Sequence, residues 1–121
     1  MGLFKWLSRV GATGGLVRSF ADGYKQIRAA NPDHSRLSDK DIFRQMVDAR
    51  MSILPNPVHR AIIELYLARP TSGLRHLLRG IVTVENGFME PSSVPASLFE
   101  VIDEELAKSG LPESVINGKI C

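Results

Sequence analysis

The side chains that most often catalyse reactions or bind metals are few in this sequence and lie far apart. The three histidines are His34, His59 and His76, and the single cysteine is Cys121. A zinc site needs three or four His, Cys, Asp or Glu ligands, and these usually occur in closely spaced pairs. Because no two of these four residues are close in sequence, we predict no metal site.

The serines, glycines and acids do not form a catalytic pattern either. The sequence has no Gly-x-Ser-x-Gly turn and no phosphate-binding loop. A dinucleotide-binding motif requires a strand before its glycines, and no strand is predicted before Gly11, Gly14 and Gly15. A run of acids near the C-terminus is better explained as the solvated face of a helix than as an acid–base pair. This run comprises Glu100, Asp103, Glu104 and Glu105. We therefore predict that the protein is not an enzyme and binds no cofactor.

One group of basic residues could contact nucleic acid. Residues 58–68, a turn containing glycine, and residues 73–84 resemble the layout of a helix-turn-helix. Arginine can bind guanine through two hydrogen bonds in the major groove, and the second helix is predicted to present polar side chains on the face opposite its leucines. The candidate contacts are Arg69, Arg75, His76, Arg79 and Thr83. Nucleic-acid binding is the alternative function, disfavoured because the turn is long for this motif.

The N-terminal segment is the main functional signal in the sequence. At ~100° per residue, the apolar side chains of residues 3–10 fall on one face and the basic ones on the other. A helix this short is not stable alone in water, so it must dock on another surface. The predicted contact residues are Leu3, Phe4, Lys5, Trp6, Leu7, Arg9 and Val10.

Three surfaces could cover this segment: the protein's own core, a protein partner or second copy, or an anionic membrane. Lys5 and Arg9 would each add about 1 kcal/mol of attraction to such a membrane, so binding would be weak. The lack of acids in residues 1–21 also fits an organelle import presequence. We favour a non-enzymatic interaction or accessory protein that contacts an unidentified protein partner through this helix. We expect it in the cytoplasm, with a peripheral membrane location as the alternative.

All the elements that position these residues are predicted to be helices. Apolar residues recur every three or four positions along the chain, and no stretch alternates as a strand would. With 121 residues, the chain has the size of one domain. We predict an all-α fold, a compact bundle of five to six short helices with a short amphipathic N-terminal helix. Residues 1–15 would form this segment and a glycine-rich hinge, and residues 16–121 a single helical domain.

Local signals predict where several helices begin and end. Ser38 is predicted to be the N-cap residue of one helix, and Pro57 is predicted to occupy the first position of another. Asn31-Pro32 should end one helix and Gly110 another, since glycine adopts the left-handed conformation at little cost. The helix over 58–68 is apolar around most of its circumference, which predicts a central position in the core.

Charge is unevenly distributed along the chain. The net charge is +7 over residues 1–80 and −5 over residues 81–121. This asymmetry could steer a partner or draw the two parts of the chain together. Arg50 lies within the apolar stripe of its helix, so it either reaches solvent at the edge or forms a buried pair with an acid, for example from the C-terminal helix.

Overall fold

The computed structural model describes residues 3–53, 56–68 and 73–118, with side chains from Trp6 onward. These ranges contain six α-helices and a 3₁₀ helix at Pro91–Ser93, and no strand. The α-helices are α1 (Leu3–Ala30), α2 (Asp39–Ile53), α3 (Pro57–Ala68), α4 (Leu74–Glu85), α5 (Ala96–Lys108) and α6 (Glu113–Ile116). The predicted all-α bundle is confirmed.

Helix α1 runs unbroken for 28 residues through the glycines that predicted a hinge. Glycine within a helix costs roughly 0.5–1 kcal/mol relative to alanine. This cost is outweighed because the residues that follow, Leu16, Val17 and Phe20, are buried in the core, and each such side chain contributes about 1.5–3 kcal/mol on burial. The predictions of a flexible break and of a separate short helix over residues 3–10 are therefore wrong.

Helix α4 occupies the centre of the bundle. Eight of its twelve residues are buried, and it contacts α1, α3, α5, α6 and the 3₁₀ helix. Helix α3, which was predicted to be central, lies at the periphery with only Ile63 and Leu67 buried. The prediction was wrong because α3 has apolar residues on two sides, and only one of these sides faces the core.

The predicted helix ends are confirmed. The backbone N–H of Asp41 donates to Ser38 Oγ at 3.1 Å, α3 begins at Pro57, and α1 ends one residue before Asn31. Gly110 follows α5 with a φ of 75°, in the left-handed region.

The basic and acidic parts of the chain attract each other. Arg18 of α1 pairs with Glu105 of α5 at 3.1 Å. Arg50 donates from Nε and Nη2 to the two carboxylate oxygens of Glu85, at 2.8 and 3.0 Å. The Arg50 side chain is about 40% exposed, and its partner lies on α4. The suggested buried pair with the C-terminal helix is therefore wrong.

Candidate interaction surface

The start of α1, the predicted contact segment, is partly covered by the protein itself. Trp6 and Val10 are half-buried and pack against the core. Leu7 points away from it and is 54% exposed. The side chains of Leu3, Phe4 and Lys5 lie outside the described residues. In the described part of the segment, Leu7 is thus the apolar side chain that is free to meet another surface.

Arg9, the remaining residue of this predicted set, lines a cleft of about 180 Å³ between α1 and the C-terminal ends of α2 and α4. Arg50 and Glu85 line the same cleft and neutralise each other. Thr13, also in its wall, is almost fully buried.

The predicted nucleic-acid contacts on α4 are engaged within the protein. Arg75 donates to Asp103 of α5 and, at 2.8 Å, to Asn117 Oδ1. Arg79 lies 3.6 Å from the other oxygen of Asp103, and its guanidinium stacks over the Phe99 ring at 5.1 Å. Both arginines therefore hold α4 and α5 together, because Asp103 is their shared acceptor.

The other predicted nucleic-acid contacts do not complete an outward basic face. Thr83 is 1% exposed, and its hydroxyl donates to the backbone oxygen of Arg79. The prediction that Thr83 points outward is wrong because α4 is enclosed on that side. The His76 ring packs on Tyr66 at 4.7 Å, and Arg69 lies outside the described residues.

The outward side of α3 is an exposed apolar surface that differs from the central position predicted for this helix. Val58 and Leu65 are 59% and 66% exposed. At ~100° per residue the exposed residues of α3 span roughly 100° of its circumference, opposite the buried Ile63 and Leu67. We call this surface the α3 face. It comprises Pro57, Val58, Ala61, Leu65 and Ala68, none of which carries a polar side chain.

One edge of the α3 face is bounded by ion pairs to α2. Arg44 Nη1 lies 2.7 Å from both carboxylate oxygens of Glu64, and Arg60 pairs with Asp48. These pairs attach α3 to α2 and leave the nearby charges neutralised.

The opposite edge of the α3 face is formed by the contact with α4. The Tyr66 ring lies directly over Gly80, and a Cβ at position 80 would come within 2.8 Å of that ring. Neither edge extends over the face itself. Helix α3 is therefore held between α2 and α4, with its apolar outer side open to solvent.

A sequence signal for the α3 face exists in the spacing of its residues. Val58, Ala61, Leu65 and Ala68 follow one another at intervals of three, four and three, which is the pattern of a helix that packs on another helix. Ile63 and Leu67, four residues apart, form a second stripe on the other side of the helix. Two stripes in one helix predict two packing partners, whereas the prediction of a central helix assigns both stripes to one core.

Residues 3–53, 56–68 and 73–118 contain no group of three or more His, Cys, Asp or Glu side chains placed to hold a metal ion. In the same ranges no helix is long and apolar enough to span a bilayer.

Comparison with known proteins finds no matching family model, no similar curated protein and no similar solved structure.

Proposed function

We propose that this chain is a small, non-enzymatic helical interaction protein that binds a protein partner through the α3 face. The observation that carries the proposal is the absence of any polar side chain on this outward surface, where Val58 and Leu65 are more than half exposed. Contiguous apolar surface on a folded domain commonly marks a site of interaction. A helix that is apolar on both sides is normally covered on both sides.

A protein partner suits the charges around the α3 face better than a lipid surface does. Helices that lie on membranes carry unpaired Lys and Arg beside their apolar face, where these contact anionic headgroups. Beside the α3 face, Arg44 is paired with Glu64 and Arg60 with Asp48. A protein helix can cover the apolar residues without needing free cations there.

The start of α1 is a second place where a partner could contact the protein. Among residues 6–10, whose side chains the structure describes, Leu7 is exposed while Trp6 and Val10 are partly covered by the core, so these residues leave less apolar surface free than the α3 face does. The predicted contact through residues 3–10, with a protein or an anionic membrane, stays an additional proposal. A partner that touched both sites would be sensitive to Leu7→Glu as well as to Leu65→Glu.

The proposal is tested by placing a photo-reactive amino acid at single positions of the full chain in cells that express it. We compare position 65 with position 89, because Leu65 and Met89 are both well exposed, at 66% and 75%, and only Leu65 belongs to the α3 face. We expect protein adducts from position 65 and few from position 89. Equal adduct formation at both positions, or none at 65, overturns the proposal.

A pair of substitutions keeps loss of binding separate from loss of folding. Leu65→Glu changes an exposed position, where substitutions usually alter stability by less than about 0.5 kcal/mol. Leu67→Glu places a charge at a position that is fully buried and should unfold the protein. Thermal unfolding followed by circular dichroism should show a near-native transition for the first variant and none for the second.

A further inference from the structure

We propose that the partner of the α3 face is the α3 face of a second copy of this chain, with the two helices packed antiparallel. This inference rests on the proposed function and assigns its partner. It follows from the order of large and small residues along the face, from the charges beside it and from the space available between two such helices.

Large and small residues alternate along the α3 face. Val58 and Leu65 are large, whereas Ala61 and Ala68 are small. In an antiparallel pair, the register that places Ala61 of one copy opposite Leu65 of the other also places Val58 opposite Ala68. Every large side chain then meets a small one, at four crossing points related by two-fold symmetry. A parallel pair would instead oppose leucine to leucine and alanine to alanine, leaving gaps beside the alanines.

The charges near the α3 face also permit contact between two copies. A symmetric contact brings the charged side chains beside the face of one copy near those of the other, and unpaired like charges in such a contact are destabilising. Here Arg44 and Arg60 are already neutralised by Glu64 and Asp48 of the same copy. The net charge of the whole chain is only +2, so long-range repulsion between copies is small.

The alanines set how closely the two helices approach and how tightly they bind. Alanine at two of the four central positions lets helix axes come to about 8 Å, the short end of the usual range. Helix α3 has twelve residues and is about 18 Å long, so the contact is smaller than the roughly 1,200 Å² of a stable interface. We therefore expect weak association that grows with protein concentration.

The first test measures the mass of the full-length protein in solution with Cys121→Ser, which removes the single cysteine and any disulfide dimer. Sedimentation velocity from roughly 10 µM to 1 mM should show a shift from the monomer mass of 13.3 kDa toward twice that value. Leu65→Glu should abolish the shift, and Met89→Glu, the same change at an exposed position outside the α3 face, should leave it intact. A monomer at every concentration overturns the inference.

The second test is specific for the antiparallel register. Ala61→Leu places leucine against leucine at two symmetric points and should weaken the dimer about ten-fold in Kd. Leu65→Ala opens two gaps and should weaken it by a similar factor. The double variant Ala61→Leu, Leu65→Ala restores a large residue opposite a small one and should recover most of the affinity. Additive loss in the double variant overturns the antiparallel arrangement.

The photo-crosslinking at position 65 separates failure of this inference from failure of the proposed function. An adduct with twice the mass of the chain supports both. An adduct with a different protein, together with a monomer in sedimentation, overturns the second copy as partner and leaves the interaction function standing. A lipid adduct, or none, overturns both.

Discussion

The carboxylate of Asp39 joins α1 to the first turn of α2. Its Oδ1 accepts hydrogen bonds from the Tyr24 hydroxyl at 2.7 Å and from Arg28 Nη2 at 2.6 Å. Arg28 also donates to the backbone oxygen of Leu37 at 2.8 Å. The Arg28 and Asp39 side chains are less than one-sixth exposed. If one of them were removed, water could therefore replace few of the hydrogen bonds that the other would lose.

We predict that Asp39→Ala destabilises the fold by about 1–3 kcal/mol, because it leaves the buried donors of Tyr24 and Arg28 without their acceptor. Asp41→Ala is the matched control. Asp41 lies in the same helical turn and has the same charge, but its side chain is exposed, so its loss removes only a helix-end interaction of about 0.3–1 kcal/mol. Urea unfolding of both variants measures the difference. Equal losses would contradict the role assigned to Asp39.

The phenol of Tyr24 makes stability depend on alkaline pH. Burial raises the pKa of Tyr24 above its ordinary value of 10.0, and the nearby Asp39 raises it further while Arg28 lowers it. Because this pKa is higher in the folded state, the unfolded state releases the proton first as pH rises. The contribution of the protonated Tyr24 phenol to stability is therefore complete below pH 10.0, and it is lost as pH rises through the pKa that Tyr24 has in the folded protein.

We therefore expect Tyr24→Phe to have a flatter decrease of stability above about pH 10 than the wild type. Tyr66→Phe provides the comparison, since it removes the other tyrosine of the chain. In a spectroscopic titration of the folded wild type, tyrosinate absorbance from Tyr24 should appear above pH 10, and Tyr24→Phe should lack this part of the signal. A Tyr24 that titrates below its ordinary value would contradict the burial described for it.

At the scale of helices, two glycines should respond to substitution with opposite signs. A Cβ added at Gly15 in α1 would meet no atom within 4 Å, whereas one added at Gly80 in α4 would lie 2.8 Å from the Tyr66 ring. We expect Gly15→Ala to stabilise the protein by roughly 0.5–1 kcal/mol through helix propensity. Gly80→Ala should destabilise it by about 1–3 kcal/mol, because α3 must move away from α4.

Thermal unfolding of these two variants tests both the continuity of α1 and the packing of α3. If residues 11–15 formed a flexible hinge, alanine at position 15 would bring no gain in stability. If Gly80→Ala were neutral, the close approach of Tyr66 to α4 would be disproved.

Local sequence signals predict where individual helices begin and end better than they predict which helices pack together. Ser38, Pro57 and Gly110 determine helix ends through their own backbone and side-chain chemistry, so the sequence predicts them directly. The hinge prediction failed at Gly15 because the burial of the following turns outweighs the low helix propensity of glycine. Tertiary packing of this kind is not contained in a local window of sequence.

The candidate site was harder to predict because it depends on which side of each helix faces the core. Thr83 was predicted to point outward and is buried, while Leu65 was predicted to be central and is exposed. Both errors have one cause. The spacing of apolar residues in α3 and in α4 does not predict which of these two helices is enclosed by the remaining helices of the bundle. Arg75 and Arg79 were likewise identified as basic without any indication that Asp103 holds them.

At the scale of the whole molecule, attraction between the basic and acidic parts of the chain contributes to stability. Asp103 accepts from Arg75 and lies 3.6 Å from Arg79. Its side chain is about 40% exposed, so solvent screens much of this interaction. We predict that Asp103→Asn costs about 1 kcal/mol at low salt, and less at high salt because ions screen the same charges.

The control for Asp103→Asn is Glu104→Gln, which removes the same charge from the neighbouring position. Glu104 is exposed, so its removal should change stability by less than about 0.5 kcal/mol. Both variants are compared by urea unfolding at low and high ionic strength. A salt-independent loss in Asp103→Asn would show that packing, not charge, is the source of its effect.

The central position of α4 has a consequence for how the molecule opens. Because α1, α3, α5 and α6 all pack on it, we expect its backbone amides to reach solvent only when these helices separate together. Hydrogen–deuterium exchange should therefore be slowest in α4 and report the free energy of global unfolding there. The ends of α1 and α6 should exchange earlier, through local fraying that leaves the rest of the protein intact.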